Sequence, residues 1–204
     1  MPPISFVVRA DVVDIRVDKP QATDTFVVDT NAWIWFAYSK ATLPVTSPPL
    51  QSRHYPQYIK DALIVKAGLF RYALTQAELF HNIERYEREL FSPGIRAKEF
   101  RHNYPAERAN VVSECTIAWN TILSVSSPLD ADVNDVVTSR ALTWLTTHPL
   151  DGYDLYMLDA MQTAGVTKIL TDDGDFCTIP RIEMFTANKN VVDATRAQGK
   201  LVTR

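Results

Sequence analysis

Apolar residues in this chain recur with two periods, and the switches between them mark the elements. Val13-Asp14-Ile15-Arg16-Val17-Asp18 alternates strictly, which predicts a half-exposed strand, an edge strand or hairpin arm added ahead of the main fold. Lys19–Asp24 breaks it with a turn. Phe26-Val27-Val28 is a short continuous apolar run that ends on Asp29 and gives way near Asn31 to an amphipathic segment, the pattern of a buried parallel strand feeding a helix. Prolines and hydroxyl residues over Thr42–Pro49 predict a surface loop. From Pro56, the positions Tyr58, Ile59, Ala62, Leu63 and Ala67 keep helical spacing as far as Gly68, a C-terminal breaker. Leu69–Leu74 then reads as a short strand.

Thr75-Gln76-Ala77-Glu78 has capping-box spacing ahead of Leu79, Phe80, Ile83, Tyr86 and Leu90, so a helix is predicted from that cap to Ser92-Pro93-Gly94. A polar helix from about Pro105 to Trp119, a short strand over Ile122–Val125 and a helix opened by Asp130 or Asp132 follow. A helix from Asp154 to Gly165 leads into a buried strand over Thr167–Leu170. Strands alternating with helices predict an α/β fold, a mostly parallel central sheet flanked by helices, with an extra N-terminal strand. The domain reading is a strand extension over 1–25 followed by one domain over 26–204.

Composition fits that picture. In 204 residues, 46% are hydrophobic and 22% charged, enough for a sizeable core. Cys115 and Cys177 form neither a disulfide framework nor a metal pattern, and charges in the first residues argue against a secretory signal. No run reaches membrane-spanning length. The expected location is the cytoplasm. The net charge of −3 is unevenly spread: residues 53–108 hold ten Lys and Arg against seven acids, which leaves the remainder at −6. That basic flank, with Arg71, Arg85 and Arg88 among its members, is the candidate surface for a nucleic-acid backbone. A helix face laced with Glu84, Glu87 and Glu89 is the structural alternative.

The candidate chemistry is carboxylate. Asp29 ends a buried strand, where open α/β sheets bind ligands, although an Asp there also caps a helix. Glu78 lies just beyond the next strand, where a capping role competes. Asp154 shares a helical face with Met157, Leu158 and Met161; Asp151 and Asp159 are the alternatives, and Asp159 points well away from that face. An acid on an inner face is costly unless it is paired, metal-bound or at a cleft mouth. Thr171-Asp172-Asp173-Gly174-Asp175 crowds three acids at the end of the last strand. Acids brought together raise one another's pKa unless a hard cation lies between them. Oxygen-only ligands favour Mg²⁺ or Mn²⁺ over zinc, and hydrolysis of phosphate esters uses such clusters. A haloacid-dehalogenase-type phosphatase would need a second Asp two residues after the first, where this chain has Asn31.

Taken in order, Val27-Val28-Asp29-Thr30-Asn31, Thr75-Gln76-Ala77-Glu78-Leu79, Asp154 ahead of Ala160 and Ala164, and Leu170-Thr171-Asp172-Asp173-Gly174-Asp175-Phe176 resemble the motifs of PIN-domain ribonucleases. The resemblance spans residues 26 to about 188. It implies a metal-binding quartet of Asp29, Glu78, Asp154 and Asp173, with Asp175 as a further ligand and Asn31 and Thr171 as polar supports. It also implies RNA as substrate, Mg²⁺ or Mn²⁺ as cofactor and frequent homodimers. Many relatives in that family are VapC-like toxins, each blocked by an antitoxin-type protein inhibitor. Longer 40–68 and 92–120 segments depart from the family pattern; a housekeeping RNA-processing nuclease is the alternative to a toxin, and a catalytically silent module that binds RNA or protein is the reading of another class.

Overall fold

The structure, a computed structural model, describes residues 5–43 and 49–204, so most of the expected 42–49 loop lies outside the described residues. In chain order the elements are β1 (Asp11–Asp14), β2 (Thr25–Val28), α1 (Thr30–Ala37), α2 (Gln51–Ile64), β3 (Gly68–Arg71), α3 (Ala73–Phe91), α4 (Ala97–Asn103) and α5 (Pro105–Val125). They continue with β4 (Ser127–Pro128), α6 (Asp135–Leu145), α7 (Gly152–Ala164), β5 (Lys168–Leu170), a 3₁₀ turn (Gly174–Thr178), β6 (Glu183–Thr186), α8 (Lys189–Ala197) and β7 (Leu201–Val202). The strands form one seven-stranded sheet in the order β4-β3-β2-β5-β6-β1-β7, parallel throughout. This is the expected α/β architecture.

Both faces of the sheet are covered, which is why its strands are apolar without alternation. Phe26, Val28, Leu170 and Phe185 face a core built with α1, α2, α3 and α5, including Trp33, Tyr55, Leu79 and Ile122. Val12, Val27, Ile169 and Met184 face the other core, with Leu158 and Met161 of α7, Ala141 of α6 and Val191 of α8. Among the described residues no helix is long and apolar enough to cross a membrane.

Four local expectations change. The Val13–Asp18 alternation is not one edge strand: β1 stops at Asp14, whose carboxylate accepts from the Arg16 backbone N–H and guanidinium, turning the chain. β1 lies inside the sheet, between β6 and β7. The second helix begins at Gln51 rather than Pro56, and Lys66, with φ 62°, takes the left-handed position after it, while Gly68 opens β3. Ile122–Val125 is the last turn of α5 and not a strand, a confusion that short apolar runs invite. The sixth helix is capped by Asn134, not Asp130 or Asp132, with its Oδ1 accepting from the N–H groups of Val136 and Val137.

Candidate active site

β2 and β5 are neighbours whose connections leave in opposite directions, β2 toward β3 and β5 toward β6. The crevice beyond their carboxyl ends is a topological switch point, where open parallel sheets bind ligands. Val28 pairs with Leu170 there, so the next residues, Asp29 and Thr171, flank the crevice. Asp29 does cap α1, with Oδ1 accepting from the Thr30 N–H at 2.5 Å. Its other oxygen is occupied differently: Oδ2 accepts from Asn31 Nδ2 at 2.5 Å and from Thr171 Oγ1 at 2.6 Å. Asn31 Oδ1 accepts from the Asp172 N–H at 2.9 Å, and Thr171 Oγ1 accepts from the Asp173 N–H at 2.9 Å. Asn31 and Thr171 thus tie the ends of two strands around one carboxylate.

Glu78 joins this group by a route the sequence did not suggest. α3 begins at Ala73 after Tyr72, with no side-chain cap, and the Thr75 hydroxyl is buried without a partner. The capping box is therefore absent, and Glu78 sits in the second turn, where its Oε2 accepts from Thr30 Oγ1 at 2.6 Å. Thr30 links Glu78 to the residue beside Asp29. Burial first, then the charges of Asp151 and Asp173, hold the Glu78 carboxyl above its ordinary range against the Thr30 bond.

Asp154 lies in the first turn of α7, which Asp151 caps through the N–H groups of Tyr153 and Asp154. It is 7% exposed, yet among the described residues its carboxylate accepts no hydrogen bond and pairs with no cation. Burial, then the charges of Asp29, Asp151, Asp173 and Glu78, push its pKa up strongly. Asp29 is pushed up as well, chiefly by burial, with Glu78 and Asp173 adding to it and the Thr171 bond opposing it. Asp29, Glu78 and Asp173 are thus among the charges that raise the Asp154 carboxyl. Asp159, on the same helix, is also buried but faces α6, where Arg140 Nη2 donates to it at 3.0 Å.

The three acids after β5 have different duties. Asp172 is drawn aside by Tyr55 OH at 2.9 Å and Gln51 Nε2 at 3.2 Å. Asp173 caps the 3₁₀ turn through the Asp175 N–H at 2.8 Å. Asp175 lines, with Asp173 and Asn188, a recess of about 560 Å³ that Phe6 borders. Phe6 packs so tightly on Gly174 that a Cβ there would lie 2.4 Å from its ring. The N-terminal segment thus backs the acidic turn, and the Arg9 and Ala10 N–H groups donate to the Cys177 carbonyl.

The donor set fits a hard divalent cation in kind: it is oxygen only, and it includes a buried carboxylate with nothing to neutralise it. Among the described residues no three His, Cys, Asp or Glu side chains close on a single point to hold an ion. Mg²⁺ does not require that, since it is usually held by one or two carboxylates and keeps several waters.

Of the basic flank, Arg71 donates to the Ser126 carbonyl and lies over Trp119, and Arg88 donates to the Ile95 carbonyl at 3.1 Å. Only Arg85 of these three is exposed, its guanidinium 5.4 Å from the Tyr86 ring centre. The sequence reading did not single out Thr30, whose hydroxyl reaches Glu78; Asp151, weighed there as an alternative to Asp154, carried a local signal as an Asp directly before a helix. No family model matches the chain, and no curated protein matches it significantly.

Proposed function

We propose that the chain is a divalent-metal-dependent ribonuclease of the PIN kind, hydrolysing RNA phosphodiester bonds in the crevice beyond β2 and β5. The observation that carries this reading is Asp154, a buried carboxylate without a partner, set among Asp29, Glu78 and Asp173. Asp29 and Asp154 would hold Mg²⁺ or Mn²⁺, water filling its other positions; Asp173 and Asp175 belong to the set by the motif resemblance. Such a metal supplies an activated water and stabilisation of the leaving oxygen. Asn31 and Thr171 hold Asp29 Oδ2 and the Thr30 N–H holds Oδ1, so the carboxylate is oriented before a metal binds. Thr30 turns Glu78 toward the crevice. The Glu78 oxygen that Thr30 leaves free takes a proton from the attacking water, a role suited to a carboxyl raised above its usual range. RNA as the substrate class, the toxin role, the inhibitor partner and the homodimer all rest on the motif resemblance.

The test is cleavage of labelled single-stranded RNAs by purified protein in Mg²⁺ and in Mn²⁺. Cleavage that disappears with a chelator and with Asp154→Asn is expected. Intact RNA across a broad substrate set in both metals refutes the reading. Growth arrest on induced expression that depends on Asp29 supports the toxin role, and unaffected growth counts against it.

A further inference from the structure

Beside the crevice, α3, α4 and α5 enclose a recess of about 570 Å³ whose chemistry the acidic site does not use. Its floor is Glu84, buried and gripped by two arginines from different helices. Arg101 Nε donates to Glu84 Oε1 at 2.8 Å, and Arg108 Nη1 donates to Oε2 at 2.7 Å. Burial works against the Glu84 carboxylate, but these guanidinium groups hold its pKa below the ordinary value. Two cations on one anion leave a net positive charge. Both arginine side chains keep over two-fifths of their surface open, 44% and 43%. Among the described residues, Nη1 of Arg101 and Nε and Nη2 of Arg108 donate to no protein group. Arg71 and Arg88, by contrast, spend N–H groups on backbone carbonyls.

The lining also has an apolar part, Phe80, Val112 and buried Val111. An apolar lining with a few polar groups, in a volume of this size, is the usual form of a small-molecule site. Guanidinium forks suit phosphate, and an aromatic ring in the same lining suits a base. On α3, His81 lines the recess three residues beyond Glu78, about 4.5 Å further along the helix at a rise of about 1.5 Å per residue.

We propose that this recess is a nucleotide subsite. Arg101 and Arg108 receive one phosphate of an RNA strand, Phe80 and Val112 take its base, and the linkage to be cut lies in the acidic crevice. Only the position of that linkage rests on the nuclease reading; binding in the recess does not need the metal.

Binding is therefore measured with the full chain, a fluorescent single-stranded RNA of mixed sequence and EDTA present. Val112→Glu and Thr116→Glu add a negative charge at exposed α5 positions on the rim without touching the Glu84 clamp. Each is expected to weaken RNA binding about tenfold, with an unchanged melting temperature. Arg108→Gln should weaken it too and make the affinity less sensitive to salt. Asp154→Asn should bind as the wild type does while losing cleavage, which separates the two readings. Failure of the wild type to bind RNA, or equal binding by both rim variants with their fold intact, overturns the subsite.

Discussion

The two ends of β2 carry buried aspartates that the protein treats in opposite ways. Asp24, just before the strand, is 1% exposed and accepts from Lys168 Nζ at 2.6 Å, Arg204 Nη1 at 2.7 Å and the Gln21 N–H at 2.8 Å. Asp29, just after it, is 3% exposed and receives only neutral donors. The neighbouring strand repeats the contrast, since β5 opens with the lysine that neutralises Asp24 and ends beside the threonine that orients Asp29. A buried carboxylate with two built-in cations holds the fold together. Carboxylates gathered without one are destabilising on their own. That arrangement persists where a ligand supplies the missing charge.

Substitutions at the two ends should separate these roles. The largest effect is on activity: Asp154→Asn is expected to lower RNA cleavage on the order of a thousandfold, the factor that several kcal/mol of metal-assisted stabilisation represents. Its melting temperature should be unchanged or higher, because a buried carboxyl held above its ordinary range, which costs stability near neutral pH, has been removed. Asp159→Asn, five residues along the same helix, should leave cleavage near wild type, since it breaks only the contact with half-exposed Arg140. Equal loss of cleavage in both variants would contradict the assignment of the α7 faces.

Asp24→Asn should do the reverse, costing about 3 kcal/mol in chemical unfolding because Lys168 and Arg204 lose a shared buried partner. Its activity should persist at temperatures where it stays folded. Gly174→Ala comes next, at about 1–3 kcal/mol, the usual cost of overpacking. Phe6→Ala should relieve that cost in the double variant, because the Phe6 ring is what the new Cβ meets. Additive losses in the pair would show that the ring and the turn are independent.

The smallest effect is in the pH dependence. Burial raises the carboxyls of Asp14, Asp24 and Glu84, but their arginine and lysine partners overcome it and hold them below their ordinary values. Their stabilisation is complete above the unfolded carboxyl value near 4 and is lost as pH falls through the lower folded values. Asp29 and Asp154 have the opposite sign. Their contribution is present below about 4 and lost as pH rises through their raised folded values. Metal-free protein should therefore lose stability toward neutral pH, with a flatter slope in Asp154→Asn. Chemical unfolding across pH measures both limbs.

Much of this was legible in the chain. The buried strand ending at Asp29, the last strand before Thr171 and the inward phase of Asp154 follow from local pattern, which short apolar runs and helical spacing carry well. The link from Thr30 to Glu78 joins residues 48 positions apart, and no local spacing encodes it. Local pattern also suggested a capping box that α3 does not form. The choice among Asp172, Asp173 and Asp175 is made by Tyr55 and Gln51 on α2, more than a hundred residues earlier. The Asp24 network depends on Lys168 and Arg204, equally remote, and so a structural acid and a cleft acid look alike in the sequence.

Calorimetric titration of Mn²⁺ into the metal-free wild type and Asp154→Asn, near neutral pH, tests the central claim most directly. If the crevice acids await a cation, the wild type binds Mn²⁺ and melts at a higher temperature when loaded. The variant should then bind at least about tenfold more weakly. A wild type that neither binds Mn²⁺ nor gains stability from it, or a variant that binds as tightly as the wild type, would contradict the claim.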